Sequence, residues 1–182
     1  MATRELTLAT FGREASGRAL LDEIMRRHER NVLRLCWRLL GNLEDAQDAA
    51  QDVFLKVWKN LDRMDMVRDT SPWLYSIAVN VCRDRLRQRR PVLSLEAAEP
   101  VDRGLDAESI IARQQHVKVL TRALGHLPER ERTVMVLRDL EGLPTSEVAR
   151  ILGSSETTVR SQISTGRVKL KKFVEQWLRS RK

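Results

Sequence analysis

The stretch DAQDAAQDVFLKVW (Asp45–Trp58) carries two unlike faces. At about 100° per residue, Ala46, Ala49, Ala50, Val53, Phe54, Val57 and Trp58 fall on one arc, an ordinary core stripe. Asp48, Gln51, Asp52 and Leu55 fall on the opposite arc, and no basic residue sits among them. The first arc predicts a helix packed into a helical core. The second needs another explanation, because the chain as a whole carries a formal net charge of +8.

The 182 residues suffice for one domain or two small ones. Hydrophobic residues make up 42%, enough for cores, whereas aromatics are only 4% and Gly and Pro are few, which disfavours an all-β sandwich. Lys and Arg number 33 against 25 Asp and Glu, a balance that points to a polyanionic partner. Taken alone, that balance also fits a soluble protein that is merely basic. Cys36 and Cys82 lack CxxC or Cys/His spacing and lie in apolar helical stretches, so buried free thiols are expected rather than a disulfide or a zinc site. No metal site and no cofactor is expected. The first residues carry Arg4, Glu5, Arg13 and Glu14 without the apolar run of a signal peptide. No stretch approaches the ~20 apolar residues of a membrane span, so a cytoplasmic chain without direct membrane insertion is expected.

Residues 1–17 lack clear periodicity and read as a loose N-terminal arm. From Arg18 to Leu40, the positions Leu20, Leu21, Ile24, Met25, Val32, Leu35 and Leu39 recur at helical spacing. Gly41-Asn42 stops that helix, and Glu44-Asp45 opens the next in acid, as its dipole favours. A polar connector, Asp62–Ser71, follows. Ser71-Pro72 starts a third helix, with an N-cap followed by proline at the first helical position. It runs to about Pro91, so residues 18–91 form a first domain. Residues 92–109 hold prolines, a glycine and clustered acids, and read as a flexible linker. Helical patterning then fills 110–182, without repeats or convincing strands. The expected fold is all-α: two small helical domains on a linker.

In the second domain, TSEVARILGSSETTVRSQIS (Thr145–Ser164) fits a helix-turn-helix. Ala149 is small where the helices cross, and Gly153 supplies the turn. Val148, Ile151, Leu152, Val159 and Ile163 form the interior, and Ser155 can cap the second helix. Ser154 stands where an apolar residue usually follows the turn glycine. Ser155, Glu156, Thr157, Arg160, Ser161 and Ser164 would face a major groove, and GRVKLKK and RSRK add charge suited to phosphates. A helical hairpin in an unrelated bundle is the plainer alternative. On the third helix, Ser76, Asn80, Arg83, Arg87 and Arg90 share one face. There an amide could read base edges while guanidiniums hold phosphate. Trp73 and Tyr75, beside the connector, could hold an unstacked base. A solvated arginine face with core aromatics explains that helix equally well.

Three segments in order resemble the extracytoplasmic-function (ECF) sigma factors of bacterial RNA polymerase: LLGNLEDAQDAAQDVFLKVWKNL, SPWLYSIAVNVCRDRLRQRR and LPERERTVMVLRDLEGLPTSEVARILGSSETTVRSQI. The likeness spans roughly residues 18–172. It implies sigma region 2 over 18–91 and region 4 over 110–182, with no further domain in the linker. It also implies that the acidic helix docks on core RNA polymerase at the β′ clamp helices, with Asp48, Gln51, Asp52 and Leu55 in contact. Region 4 would meet the β flap. By the same likeness, Trp73, Tyr75, Ser76, Asn80, Arg83, Arg87 and Arg90 serve the −10 element and help trap a flipped base. Ser155, Glu156, Thr157, Arg160, Ser161 and Ser164 read the −35 element, and an anti-sigma factor controls the protein. The acidic face thus becomes a protein-docking face that repels DNA.

Two other classes compete. A polymerase-independent helix-turn-helix regulator would bind DNA alone and leaves the Asp48/Gln51/Asp52 face unexplained. An enzyme is not expected: His28, His116 and His126 lie far apart in sequence, and no phosphate loop or nucleophile elbow is present.

Overall fold

A computed structural model describes residues 2–61, 70–88 and 119–180, with side chains from Gly17 onward. Among the described residues every regular element is helical: α1 (Ala2–Leu40), α2 (Leu43–Lys59), α3 (Ser71–Gln88), α4 (119–125), α5 (Glu129–Met135), α6 (Thr145–Leu152) and α7 (Glu156–Arg179). The all-α expectation is met. The connector residues 62–69, the linker 92–109 and Arg90 lie outside the described residues.

The loose arm expected over 1–17 is corrected, because α1 is helical from Ala2. Its first turns contain no proline and are rich in Ala, Leu, Arg and Glu, so intrinsic propensity continues the helix where amphipathic periodicity fades. In α2, the Asn42 side chain accepts the Asp45 N–H at 3.2 Å and caps the first turn. Glu44 and Asp45 lie at its positive end, Lys56 and Lys59 at its negative end. Ala46, Ala49, Ala50, Val53, Phe54 and Val57 are buried as the stripe predicts. Trp58 departs from that stripe at 37% exposed. Its ring lies over α1, where a Cβ added to Gly17 would meet it at 3.5 Å.

Helices α1, α2 and α3 pack on one another around Val32, Leu35, Trp37, Val53, Val57, Leu74 and Val79. Cys36 and Cys82 are both buried and unbridged. The neighbouring Cys36 thiol and burial push the Cys82 thiol well above its usual range, so it stays protonated and packs as a small apolar group.

The end of α5 differs from an ordinary helix. Val136–Leu140 is wound as one π turn, closed by the Glu141 N–H on the Val136 carbonyl at 2.9 Å. This bulge delivers the chain into Gly142 and on to α6. Helix α7 crosses α5 at Gly166, where an added Cβ would lie 3.0 Å from Met135 Cγ, so the close approach depends on the missing side chain.

The second domain rests on the first. Helix α6 packs against α3, and the π turn and α5 touch α1. One buried cluster runs continuously from Ile24 through Leu74 to Val134, Val148 and Ile163. Two helical units are therefore present as expected, and they share one core.

Candidate core-polymerase and promoter-DNA surfaces

Three surfaces carry the candidate residues. On α2, Asp48, Gln51 and Leu55 are exposed, and Asp52 is half-buried. Leu55 is 58% exposed, though it is a large apolar side chain. It borders a groove of about 970 Å³ between α1 and α2, lined by Leu21, Met25, Leu33, Phe54 and Trp58, with Asp48 and Gln51 among its polar groups. An apolar trough with a hydrogen-bonding margin is how a protein interface is built. The acids nevertheless have a cation nearby. Arg85 of α3 donates through Nη2 to Asp52 Oδ2, and its Nη1 lies 3.7 Å from Asp48 Oδ2. The Asp52 carboxylate holds the Arg85 guanidinium more firmly protonated than usual. Reading α2 alone could not find this partner, which comes from another helix.

On α3 the expected face is divided. Asn80 and Arg87 are exposed. Asn80 and Trp73 meet at a pocket of about 250 Å³ whose wall also contains Lys56, Asn60 and Ile77. Lys56 and Asn60 are residues the sequence reading missed; their place at the polar C-terminal end of α2 was the available signal. Ser76 is half-buried, its hydroxyl donating to the Trp73 carbonyl at 2.7 Å. Two further residues differ from expectation. Tyr75 is only 5% exposed, and its hydroxyl donates to Glu141 Oε2 at 3.1 Å. It belongs to the core and is covered by the second domain, so it offers no face for base stacking in this conformation. Arg83 donates through Nε to Glu129 Oε1 at 3.2 Å, also across the domain boundary.

The helix-turn-helix is built as its sequence predicts. Gly153 adopts φ 58 and ψ 42, a left-handed conformation that costs L-residues a Cβ clash. There the Ser154 N–H reaches the Ala149 carbonyl at 2.9 Å and the Gly153 N–H reaches Arg150 at 3.3 Å. This paired closure of a helix end holds Ser154 by its backbone, so no apolar side chain is required. The Ser155 hydroxyl accepts the Thr158 N–H at 3.1 Å and caps α7, which engages that oxygen in the fold. Val148, Ala149, Val159 and Ile163 are buried between the two helices.

Thr157, Arg160, Ser161 and Ser164 are exposed along one side of α7, with Glu156 half-buried beside them. Arg160 pairs with Glu156 at 2.7 Å, so a DNA contact by this guanidinium must compete with an exposed and weak internal pair. The basic run after the motif is only partly available. Arg167 forks onto Asp139 at 2.7 and 3.0 Å, and Lys169 meets Glu131 at 2.6 Å. These two cations tie α7 to α5 and the π turn.

Among the described residues, no group of His, Cys, Asp and Glu could hold a metal ion, and no helix is long and apolar enough to cross a membrane.

Comparison with known proteins agrees with this geometry. Residues 24–92 match the family model for Sigma-70 region 2, and residues 118–170 match that for Sigma-70, region 4. The ECF RNA polymerase sigma factor SigW of Bacillus subtilis is 32% identical over 152 residues, covering 78% of this chain and 81% of that protein. SigM of Mycobacterium tuberculosis, also an ECF RNA polymerase sigma factor, is 36% identical over 163 residues, covering 88% and 80%. Among solved structures, CnrH in complex with the cytosolic domain of CnrY aligns with TM-score 0.66 at 25% identity, over 87% of this chain and 90% of that one. The sigma factor RpoE from Bartonella quintana, in complex with the anti-sigma factor NepR, shares the fold with TM-score 0.69 at 21% identity, over 85% and 96%. With both regions matched in order and the helix-turn-helix closed as its residues require, the chain belongs to the ECF family of RNA polymerase sigma factors.

Proposed function

We propose that this sigma factor docks on core RNA polymerase through Asp48, Gln51, Asp52 and Leu55 of α2, and that the apolar trough shared with α1 extends the contact. The observation that carries this reading is Leu55, a leucine 58% exposed on an acidic face beside an apolar groove. A partner surface that is basic at its edge and apolar at its centre satisfies both features, and the family resemblance points to the β′ clamp helices as that partner.

Promoter recognition divides between the other two surfaces. The pocket formed by Lys56, Asn60, Trp73, Ile77 and Asn80 suits one unstacked base of the −10 element: an indole supplies stacking, two amides read edges and an ammonium holds phosphate. Flipping that base costs a few kcal/mol, which the pocket offsets only once the strands part. The α7 face of Thr157, Arg160, Ser161 and Ser164 suits the −35 element as intact duplex, and region 4 meets the β flap. An anti-sigma factor would control the protein by covering these surfaces, as the assembly of the Bartonella relative with NepR suggests by analogy of fold. Such a protein works in the cytoplasm beside polymerase and is not an enzyme.

In vitro transcription with core enzyme on a genomic promoter library tests this reading. Core-dependent initiation from a shared −35/−10 pattern is expected. DNA binding that needs no polymerase, with no retention of core enzyme in a pull-down, would point instead to a free-standing regulator.

A further inference from the structure

Helix α7 is 24 residues long, about 36 Å at 1.5 Å per residue, and only its first half is covered. Its buried residues are Val159, Ile163 and Gly166; from Arg167 to Ser180 no residue is buried. That second half is nevertheless amphipathic. Leu170, Phe173, Val174, Trp177 and Leu178 recur at spacings of three, one, three and one, and so share one side of the helix. The inner edge of this stripe is held: Leu170 packs against the core, and the Phe173 ring lies 4.5 Å from that of His126, just after α4. Its outer edge is open, with Val174 37% and Leu178 55% exposed. The remaining sides are cationic. Residues 169–182 hold six basic side chains against one carboxylate, Glu175. Lys169 meets Glu131 and Lys171 lies 3.9 Å from Glu175, while Lys172 and Arg179 are exposed.

We propose that this distal half of α7 docks on an anionic lipid surface, lying in the headgroup layer without crossing it. An apolar stripe bordered by Lys and Arg, with an indole among its members, is the composition of a helix that lies at a membrane interface. The long stems of Lys171, Lys172 and Arg179 can lie along the apolar boundary while their charges reach headgroup phosphates. Shape favours lipid over a protein helix. Val174 and Leu178 stand out from a single helix as a ridge, whereas a docking helix needs a groove such as the trough beside α2. A second copy of this chain would bring the same cations face to face. Leu178 follows Arg160 by 18 residues, about five full turns, so both lie on one line of α7. A flat surface against Leu178 therefore runs along the face assigned above to the −35 element, and, on that reading, lipid and duplex compete for α7.

Flotation of the full chain with lipid vesicles tests this. Wild type is expected to float with vesicles of equal parts phosphatidylglycerol and phosphatidylcholine, not with phosphatidylcholine alone, and less as salt rises. The variant Val174→Gln with Leu178→Gln keeps every charge, and its partition should fall on the order of tenfold. Circular dichroism verifies folding; should the double variant unfold, Leu178→Gln alone, at the more exposed position, replaces it with the same expected direction. Flotation of the variant at the wild-type level would mean that cations elsewhere on the chain suffice, and would overturn the ridge as the site. An absence of wild-type flotation would overturn it too, and if the variant then lost core polymerase in a pull-down, the ridge would belong to a protein partner. Anionic vesicles should also lower binding of a random-sequence DNA duplex by wild type more than by the variant. Ridge-dependent flotation without that loss would overturn the −35 reading of α7 and leave the lipid site standing.

Discussion

Leu55→Ala isolates the docking face better than any change of its acids. Reversing Asp48 and Asp52 to arginine would set new cations beside Arg85, which already pairs with both, so a loss of binding would mix docking with a disturbed α2–α3 contact. Leu55 instead projects from the helix 58% exposed. Its truncation leaves the core intact and replaces one strong helix former with another, so stability should stay within about 0.5 kcal/mol of wild type. Full burial of a leucine stabilises by about 1.5–3 kcal/mol. The exposed fraction leaves about 1–2 kcal/mol for a partner to gain, equivalent to about 5- to 30-fold in Kd. Fluorescence anisotropy of labelled protein titrated with core polymerase measures the constant, and thermal unfolding checks the fold. A Kd within twofold of wild type, with melting unchanged, would refute the assignment of this face to polymerase.

The other surfaces give sharper chemistry. Asn80→Ala should impair transcription from a duplex promoter more than from one pre-melted around the −10 element, because its pocket acts on an unstacked base; equal loss on both templates, with normal permanganate footprints, would reassign it to phosphate or packing. Arg160→Ala should change −35 preference and cost about 1–3 kcal/mol if the guanidinium forks onto a guanine, against a smaller, sequence-independent loss if it holds phosphate, as competition binding with base-substituted duplexes would show. Gly153→Ala should destabilise the second domain by about 1 kcal/mol, read as a lower urea midpoint at unchanged slope; an unchanged midpoint would mean that the turn does not hold φ 58 in solution.

The α2 stripe and the helix-turn-helix were legible because each is local, whereas Asn42 read only as the stop of α1 and not as the cap of α2. A period of 3.6 marks a buried arc, and an Ala–Gly spacing marks a crossing and a turn. What escaped was which faces meet. Arg85 lies about 200° around α3 from Arg83 and reads as one more solvated arginine until α2 is set beside it. Tyr75 looked like a loop-edge aromatic because its cover, Glu141, lies 66 residues later in the chain. The π turn had no periodic signature, since one extra residue in a helix shifts the phase without changing composition. Trp58 fell on the core arc by angle and lies outside it because the arc's edge is set by α1, whose N-terminal turns the periodicity did not reveal.

Within a chain of net charge +8, the cations are distributed so that α2 keeps an acidic face. Arg38, Arg83, Arg85, Arg167 and Lys169 all meet carboxylates elsewhere in the fold, so these cations serve to set the angles between helices and the formal excess resides in other residues. The groups left outward at the candidate reading positions are mostly uncharged: Asn80 and Trp73 at the pocket, Thr157, Ser161 and Ser164 on α7. Neutral donors and acceptors gain little from phosphate at long range, so they add discrimination at contact distance, whereas unpaired cations such as Arg87 supply salt-dependent attraction. On the proposed reading, sequence preference rests on these neutral groups together with Arg160, and salt-dependent affinity on cations such as Arg87. On the same proposed reading, the acids of α2, paired in part with Arg85, disfavour phosphate and leave Leu55 and the trough to a protein partner.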